Sequence, residues 1–373
     1  MDEEDAFGAE AAPRLFGQPI VEFQCRIARQ AGAGHFVILA ERLPLALMTA
    51  VDRLRRDGIL AEVVRSAHDA ADHIHPEEQV LVLFGAVVPH PEDVTALARA
   101  PGPALITIPG GPGTDPAWRI DADANWAGIA RLDGTQIRET SAMLGDWDFA
   151  STLLRRAAQQ GAALHSAGDA VALAPLLDEG AALDRARALL AHKPAATPET
   201  LMARALGWCG RMITPHLLRA PQLIPLADPA PLTIGSLGLV ASMSGWNKTG
   251  LALILLSFLL EAVARPLTAL PIGRFRGLGL YSKARRWLAG TALIAAGVHA
   301  SWISGEPATL IAALWLASLL RPLPLARRWY ADPASALVIA FAGFAAGQPL
   351  WGMGLAIAHA LASQLDAERA QQP

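Results

Sequence analysis

Hydrophobic residues change their spacing about two thirds of the way along this chain. Before that point, short apolar runs such as HFVILA (35–40), QVLVLF (79–84) and ALITIP (104–109) alternate with stretches of helical periodicity. From residue 231 onward the runs lengthen to those of LALILLSFLLEAVA and ALVIAFAGFAAG, with short arginine clusters between them. Because a helix needs roughly 20 apolar residues to cross a hydrocarbon core of about 30 Å, the pattern predicts a water-soluble half followed by a membrane half.

Alternating strands and helices in the first half predict a three-layer α/β domain. A mostly parallel sheet covered on both faces is expected, since its strands are nearly continuous apolar runs. The segment 126–134 completes the domain. Helices are predicted at 19–33, 45–58, 91–100 and 147–161, and strands at 35–40, 61–65, 79–84 and 104–109.

Residues 182–218 have the pattern of two amphipathic helices, which Pro194 and Pro198 separate. The second helix places Trp208 and Met212 opposite Arg204 and Arg211, an arrangement typical of a helix lying in the membrane interface. A linker helix packed on the soluble domain fits the same pattern equally well.

Six apolar segments follow, and the charges between them predict their orientation. The segments are 231–245, 248–268, 286–304, 307–320, 333–346 and 349–364. Basic residues collect in two alternate loops, so the positive-inside rule places both termini in the cytosol. The acidic start MDEED does not have the pattern of a secretory signal. A multi-pass protein of a bacterial inner membrane is therefore predicted. The loop residues are Arg274, Arg276, Lys283, Arg285 and Arg286, and then Arg321, Arg327 and Arg328.

Composition excludes several other classes. The net charge of −3 predicts no general attraction to nucleic acid. Cys25 and Cys209 are far apart in sequence and belong to no Cys/His cluster, so neither a disulfide framework nor a structural zinc site is expected.

The order of parts resembles bifunctional membrane proteins that join a nucleotidyltransferase to a CDP-alcohol phosphatidyltransferase, of the inositol-phosphate cytidylyltransferase and CDP-inositol transferase type. GQPIVEFQCRIARQAGAGHFVILA (17–40) is similar to the first helix and strand of the nucleotidyltransferases, and LLDEGAALDRARALL (176–190) to their closing helix. TPHLLRAPQLIPLADPAPLTIGSLGLVASMSGW (214–246) is similar to the start of the first span of the phosphatidyltransferases.

The resemblance implies a nucleotidyltransferase-like (Rossmann-like) cytosolic domain followed by an all-α six-helix transmembrane domain. It also implies a homodimer formed through the membrane half. The predicted boundaries are an acidic tail at 1–16, the α/β domain at 17–190, a juxtamembrane helix at 191–220, the membrane domain at 221–365 and a tail at 366–373.

The residues at the positions that carry nucleotidyltransferase chemistry depart from the family pattern. The glycine-rich phosphate loop expected on a first strand is missing before Gly17, and GGPGTD (110–115) is expected to be a plain turn. Phe84 stands where the family places an aspartate for Mg²⁺, and a phenylalanine offers no oxygen ligand. Asp178 matches the second acidic position of the closing motif as a remnant, although a lone acid at the approach to a helix is more often a helix cap or a solvated side chain.

The phosphatidyltransferase signature, DxxDGxxAR followed by GxxxDxxxD, is also altered. The best superposition places Glu261 at the first aspartate, with Ala264 and Arg265 at the second aspartate and the glycine. Tyr281, Lys283 and Arg285 fall where the second pair of acids is expected. Mg²⁺ is expected for the family, but its ligands are replaced here, so no cofactor and no metal ligand is predicted. Glu261 is the candidate catalytic residue, and its spacing to Arg265 also suits an intrahelical ion pair.

These substitutions predict a pseudoenzyme or a strongly diverged member that acts in phospholipid or headgroup metabolism. It would bind anionic or CDP-linked membrane lipids, or scaffold a catalytic homologue. Two alternatives stay open: an active, metal-independent phosphoalcohol transferase with Glu261 as its base, and a membrane-anchored nucleotide-sensing module. The basic residues are either a phosphate site or ordinary positive-inside residues. The predicted phosphate-binding residues are Arg265, Arg274, Arg276, Lys283, Arg285 and Arg286.

Overall fold

The chain divides into a mixed α/β unit and a helical unit. The first comprises Met1–His192 with Leu270–Arg274, and the second Lys193–Ala269 with Phe275–Pro373. The turn at 110–115, Arg274 and Arg321 lie outside the described residues. A computed structural model describes residues 13–109, 118–121, 123–144, 147–167, 176, 178–191, 200–218, 220–273, 275–320 and 327–370.

The α/β unit begins with a short hairpin and then alternates strands and helices. Its helix and strand positions follow the sequence prediction closely, with five additional elements at Arg14–Leu15, Gln18–Pro19, Ala67–Asp72, Gly134–Ala142 and Ala163–Ser166. The elements are β1 (Arg14–Leu15), β2 (Gln18–Pro19), α1 (Ile20–Gln30), β3 (Phe36–Leu39), α2 (Leu45–Arg56), β4 (Ala61–Val64), α3 (Ala67–Asp72), β5 (Gln79–Leu83), α4 (Pro91–Ala98), β6 (Ala104–Pro109), β7 (Ala124–Asp133), α5 (Gly134–Ala142), α6 (Phe149–Gln159), β8 (Ala163–Ser166) and α7 (Glu179–Ala191).

The strands form separate ladders, which differs from the single, mostly parallel sheet expected. β3 pairs in parallel with β4, while a four-stranded sheet has the order β5-β7-β6-β8. Within that sheet β7 is antiparallel to both β5 and β6, and β6 and β8 are parallel. Hydrophobic spacing shows that a strand is buried but does not encode its direction, so the antiparallel β7 had no sequence signal of its own.

A buried ion network fixes α1 against α2. Glu22 is 1% exposed, and its carboxylate accepts hydrogen bonds from Arg53 Nη2 at 2.7 Å and Arg26 Nη2 at 2.8 Å. The apolar face of α1 places Phe23 and Ile27 in full burial. Since a buried carboxylate is costly unless paired, the network makes this charged position compatible with the core.

The helical unit contains seven α-helices among its described residues. They cover the predicted juxtamembrane helix and the six predicted apolar segments, but the helix that contains segment 286–304 begins at Arg276. The basic residues Arg276, Lys283 and Arg285, predicted to lie in a loop, therefore lie on a helix. A 3-10 segment at Pro221–Ala227 joins the first two. The helices are α8 (Leu201–Leu217), α9 (Ala230–Met243), α10 (Asn247–Thr268), α11 (Arg276–Ser304), α12 (Ala308–Leu319), α13 (Pro333–Ala345) and α14 (Pro349–Arg369).

Small residues let consecutive helices approach closely in three hairpins. A Cβ added at Gly250 of α10 would lie 2.7 Å from the Gly238 carbonyl oxygen on α9. A Cβ at Gly297 of α11 would lie 2.5 Å from the Ala313 Cβ on α12. The third hairpin, α13–α14, brings Gly343 and Gly352 together in the same way. Glycine and alanine at helix contacts are typical of membrane bundles, where close packing replaces the hydrophobic driving force.

The helix α8 packs on α10 within the helical unit. A Cβ at Gly210 would lie 2.4 Å from the Ala262 carbonyl oxygen, and Thr214 Oγ1 donates to the Val263 carbonyl at 2.8 Å. Among the side chains that point away from α10, those of Trp208 and Met212 are both 56% exposed. Arg204 and Arg211 are exposed as well, and at 100° per residue Arg204 lies only about 40° from Trp208 around the helix. The exposed side of α8 is therefore mixed, and the predicted placement of Trp208 opposite Arg204 is wrong.

Within the described part of the chain, two helices are long and apolar enough to cross a membrane, α10 with 22 residues and α11 with 29. The helices α9, α12 and α13 are apolar but have only 14, 12 and 13 residues. At 1.5 Å per residue, 12 residues extend about 18 Å, well short of a core of about 30 Å. The structure thus provides two candidate spans and does not by itself support six.

Candidate functional site

A buried carboxylate lies between α10 and α11 and is held by two arginines. Glu261 is 5% exposed, and its Oε2 accepts a hydrogen bond from Arg285 Nη1 at 3.0 Å. Its Oε1 accepts from Arg265 Nη2 at 3.2 Å and from Arg285 Nη1 at 3.3 Å. Arg265 is four residues further along α10, the intrahelical pair that the spacing predicted, while Arg285 comes from α11. The site therefore has one negative charge and two positive charges.

A second polar pair joins the same two helices one turn earlier. The hydroxyls of Ser257 and Tyr281 are 2.6 Å apart, and both residues are fully buried. Because residues four apart lie on one side of a helix, Ser257 and Glu261 follow each other on α10 as Tyr281 and Arg285 do on α11. Sequence reasoning missed Ser257; its signal was the matching four-residue spacing on the two helices.

The side chains of the predicted basic cluster point in two directions around α11. Arg285 faces Glu261, whereas Arg276, Lys283 and Arg286 are exposed. At 100° per residue, Arg285 lies about 180° from Arg276 and about 160° from Lys283 around the helix. The Arg286 guanidinium lies 5.1 Å from the ring of Trp287. The structure brings Arg265 and Arg285 together on one carboxylate and leaves the other three cations as an exposed basic surface.

The amino end of α11 is closed by a carboxylate that sequence reasoning did not single out. Asp228 accepts hydrogen bonds from the backbone N–H groups of Gly277 at 3.1 Å and Leu278 at 3.0 Å. A helix amino end is otherwise a natural site for a phosphate. A phosphate near α11 would therefore have to bind to side-chain cations and not to these N–H groups.

The residues at this site do not fit the Mg²⁺ ion that the family resemblance implies. Mg²⁺ requires several hard oxygen ligands in near-octahedral geometry. The four side chains on the two facing turns are a serine, a tyrosine, an arginine and one carboxylate already bonded to guanidinium groups. Among the described residues as a whole, no group of three or more His, Cys, Asp or Glu side chains comes together.

In the α/β unit, Asp178 and Phe84, the two positions that the family resemblance singles out, make contacts that stabilise the fold. Asp178 Oδ1 accepts a hydrogen bond from the Ala181 N–H at 2.7 Å, which is a helix-capping contact at the start of α7. Phe84, at the end of β5, packs edge-on against Trp126 and Phe149, with ring centroids 5.3 and 6.0 Å apart. An aromatic cluster therefore occupies the strand end where the resemblance expects a metal-binding acid.

No protein-family model matches this chain, and a search of curated proteins returns no match.

Proposed function

We propose that this chain is a membrane protein related to the CDP-alcohol phosphatidyltransferases that binds lipid phosphate groups and has lost the metal-dependent transfer reaction. One observation carries the proposal: the single buried acid on the two facing turns, Glu261, is engaged by two arginines, with three further cations exposed on α11. Cations that replace acids favour direct phosphate binding, since Lys and Arg bind phosphate by charge and hydrogen bonding.

The paired turns also support a different register for the family resemblance. Moving the superposition back by four residues places Ser257 at the first aspartate and moves Ala264 and Arg265 from the second aspartate and the glycine to the alanine–arginine pair of DxxDGxxAR. Tyr281 and Arg285 then stand for the last two acids, four apart as in GxxxDxxxD. In this proposal every acid position is replaced, and Glu261 occupies the position of the glycine.

Glu261 is a weak candidate for a general base in the alternative, metal-independent transferase. Both of its carboxylate oxygens already accept hydrogen bonds from guanidinium groups. A general base must instead reach the proton that it removes. The geometry favours a structural ion network over proton transfer.

The surface of the helical unit supports placing it in a bilayer. Most of the exposed large hydrophobic side chains of the described residues belong to this unit, and Trp302 is 86% exposed. Such a surface is unusual for a soluble monomer. We propose that α9–α14 together form a multi-pass domain of a bacterial inner membrane, with α8 in the interface, both termini in the cytosol and a homodimer formed through this unit.

The test measures which lipids the purified full chain retains, using native mass spectrometry in mild detergent. The probes are phosphatidylglycerol, phosphatidylcholine and CDP-diacylglycerol, each with and without Mg²⁺. We expect preferential, Mg²⁺-independent retention of phosphatidylglycerol or CDP-diacylglycerol. Turnover of CDP-diacylglycerol with an added alcohol would overturn the non-catalytic proposal. Phosphatidylcholine carries a phosphate but no net negative charge, so equal retention of all three lipids would overturn the role of the exposed cations in binding anionic lipid phosphate.

Matched variants locate the binding surface. Lys283→Gln combined with Arg286→Gln removes two exposed charges and spares the Glu261 network. Because each basic residue near a lipid surface contributes about 1 kcal/mol, retention of anionic lipid should fall by roughly 30-fold. Arg328→Gln is the control, since it removes an exposed arginine from the other predicted basic loop.

A further inference from the structure

The α/β unit contains two strand edges that line one cavity. Among the described strands, β3 pairs with β4 alone and β5 with β7 alone. Residues of the unpaired edges, Phe36–Leu39 and Gln79–Leu83, line the same cavity. An edge strand presents backbone N–H and C=O groups without a ladder partner. The cavity is therefore bounded by two strands, each of which can hydrogen-bond to a further strand.

The size and lining of the cavity fit a polypeptide better than a small molecule. Its volume is about 1360 Å³, above the roughly 300–1,000 Å³ of ordinary ligand pockets. Apolar side chains such as Leu39, Leu81 and Leu83 line it. An extended segment matching the four residues of β3 or the five of β5 would be about 13–17 Å long at 3.3 Å per residue.

The charges around the cavity indicate what should flank such a segment. Arg14, Arg42 and Arg131 are among its lining residues, against one acid, Glu78. The Glu78 carboxylate already accepts a hydrogen bond from the His75 N–H at 2.9 Å. The net charge of the lining is positive, which complements acidic residues at the ends of a bound segment.

We propose that this cavity binds an extended apolar segment of a partner protein, flanked by acidic residues, which adds as a strand between β3 and β5. Strand addition gives affinity through main-chain hydrogen bonds and selectivity through alternate side chains. Here both sides of the added strand would find a ladder partner. Arg14 and Arg42, both exposed, would bind the flanking carboxylates.

The experiment is hydrogen–deuterium exchange on the full chain in mild detergent, with a synthetic peptide as the probe. The peptide has four central valine and isoleucine residues and two aspartates at each end. We expect at least ten-fold slower amide exchange at both Phe36–Leu39 and Gln79–Leu83. The matched control peptide carries N-methyl groups on alternate central residues, so it cannot donate a complete set of ladder hydrogen bonds. Equal protection by the two peptides, or protection at neither edge, would overturn the proposal.

Protein variants give an independent readout. Leu39→Asp places a charge in the lining and should abolish protection, while Leu60→Asp changes an exposed leucine outside it and should not. Arg42→Glu should lower the affinity for the aspartate-flanked peptide at least five-fold but leave the affinity for an asparagine-flanked peptide unchanged. If Arg42→Glu leaves the ratio of the affinities for the aspartate-flanked and asparagine-flanked peptides unchanged, the charge argument is refuted even if Leu39→Asp fails to fold.

Two other occupants are distinguished in the same experiment. If the peptide protects the edges only after residues 2–12 are deleted, the start of this chain competes for the cavity and the partner proposal fails. If both edges become protected on raising the protein concentration without peptide, a second copy fills the cavity and the proposal likewise fails.

Discussion

The ion network at Glu261 predicts unequal roles for its two arginines. Arg285 approaches both carboxylate oxygens from another helix and its side chain is 36% exposed, whereas Arg265 makes one longer contact within its own helix and is 53% exposed. Arg285→Gln should therefore destabilise the helical unit much more than Arg265→Gln. The same contacts allow the loss of stability to be estimated separately for the two substitutions.

Breaking a buried ion pair by removing one partner costs about 3–5 kcal/mol, while a hydrogen bond to a charged group contributes about 1.5–3 kcal/mol. Because the Arg285 side chain is 36% exposed, we expect a smaller loss than for a fully buried pair, about 2 kcal/mol for Arg285→Gln. Arg265→Gln removes an exposed i,i+4 pair, for which about 0.5 kcal/mol is typical. Glu261→Gln should cost about 2 kcal/mol, because it removes the charge that neutralises both arginines.

The assay is thermal unfolding of the full chain in mild detergent, followed by far-ultraviolet circular dichroism. A loss of 2 kcal/mol lowers the midpoint by about 4–8 °C for a unit of this size. Glu261→Gln combined with Arg285→Gln should lose much less than the sum of the single variants, since the two residues interact. Equal shifts for Arg265→Gln and Arg285→Gln, or additive behaviour of the double variant, would refute the network described here.

Three further predictions concern other parts of the chain. Gly250→Ala should cost about 1–3 kcal/mol by overpacking, because its Cβ would meet the Gly238 carbonyl oxygen at 2.7 Å; Gly354→Ala, where a Cβ meets nothing within 4 Å, is the control. Glu22→Gln should destabilise the α/β unit by about 3 kcal/mol, measured by urea unfolding, and a loss below about 1 kcal/mol would contradict the buried network. Burial, with a smaller contribution from Glu22, raises the pKa of Cys25 from 9.0 to about 12. The unfolded chain therefore loses this proton first, and stability should fall as the pH rises from about 9 to 12. Cys25→Ser should flatten that part of the pH profile, and an unchanged profile would contradict the shift.

Local patterns were sufficient to predict most of the elements, but not their pairing. The sequence from Gly17 to Ala40 predicted a helix followed by a strand, and α1 and β3 lie there. All six apolar segments lie within helices, although α11 begins ten residues before its predicted segment. The direction of β7 and the gap between the two ladders depend on contacts far apart in sequence, for which hydrophobic spacing carries no information.

Only part of the candidate site could be predicted from the sequence. The pairing of Glu261 with Arg265 followed from their four-residue spacing, since that separation places side chains together on any helix. The pairing with Arg285 requires the relative rotation of α10 and α11, which only the folded bundle fixes. The sequence predicts one basic surface, because the members of the cluster are neighbours in the chain. Helical geometry instead directs Arg285 inward and leaves Lys283 exposed.

The polar side chains on the two facing turns bond to one another, and this limits the function that these turns can have. Ser257 bonds to Tyr281 and Glu261 to Arg285, so each polar group on one helix has a partner on the other. Such pairs stabilise the contact between α10 and α11 without any ligand. A ligand that displaced them would have to replace every hydrogen bond that it broke, since buried polar groups left without partners are costly. Phosphate binding should therefore depend on the exposed cations and not on this buried pair of turns. Stability variants at Glu261 and binding variants at Lys283 and Arg286 should then change different measurements.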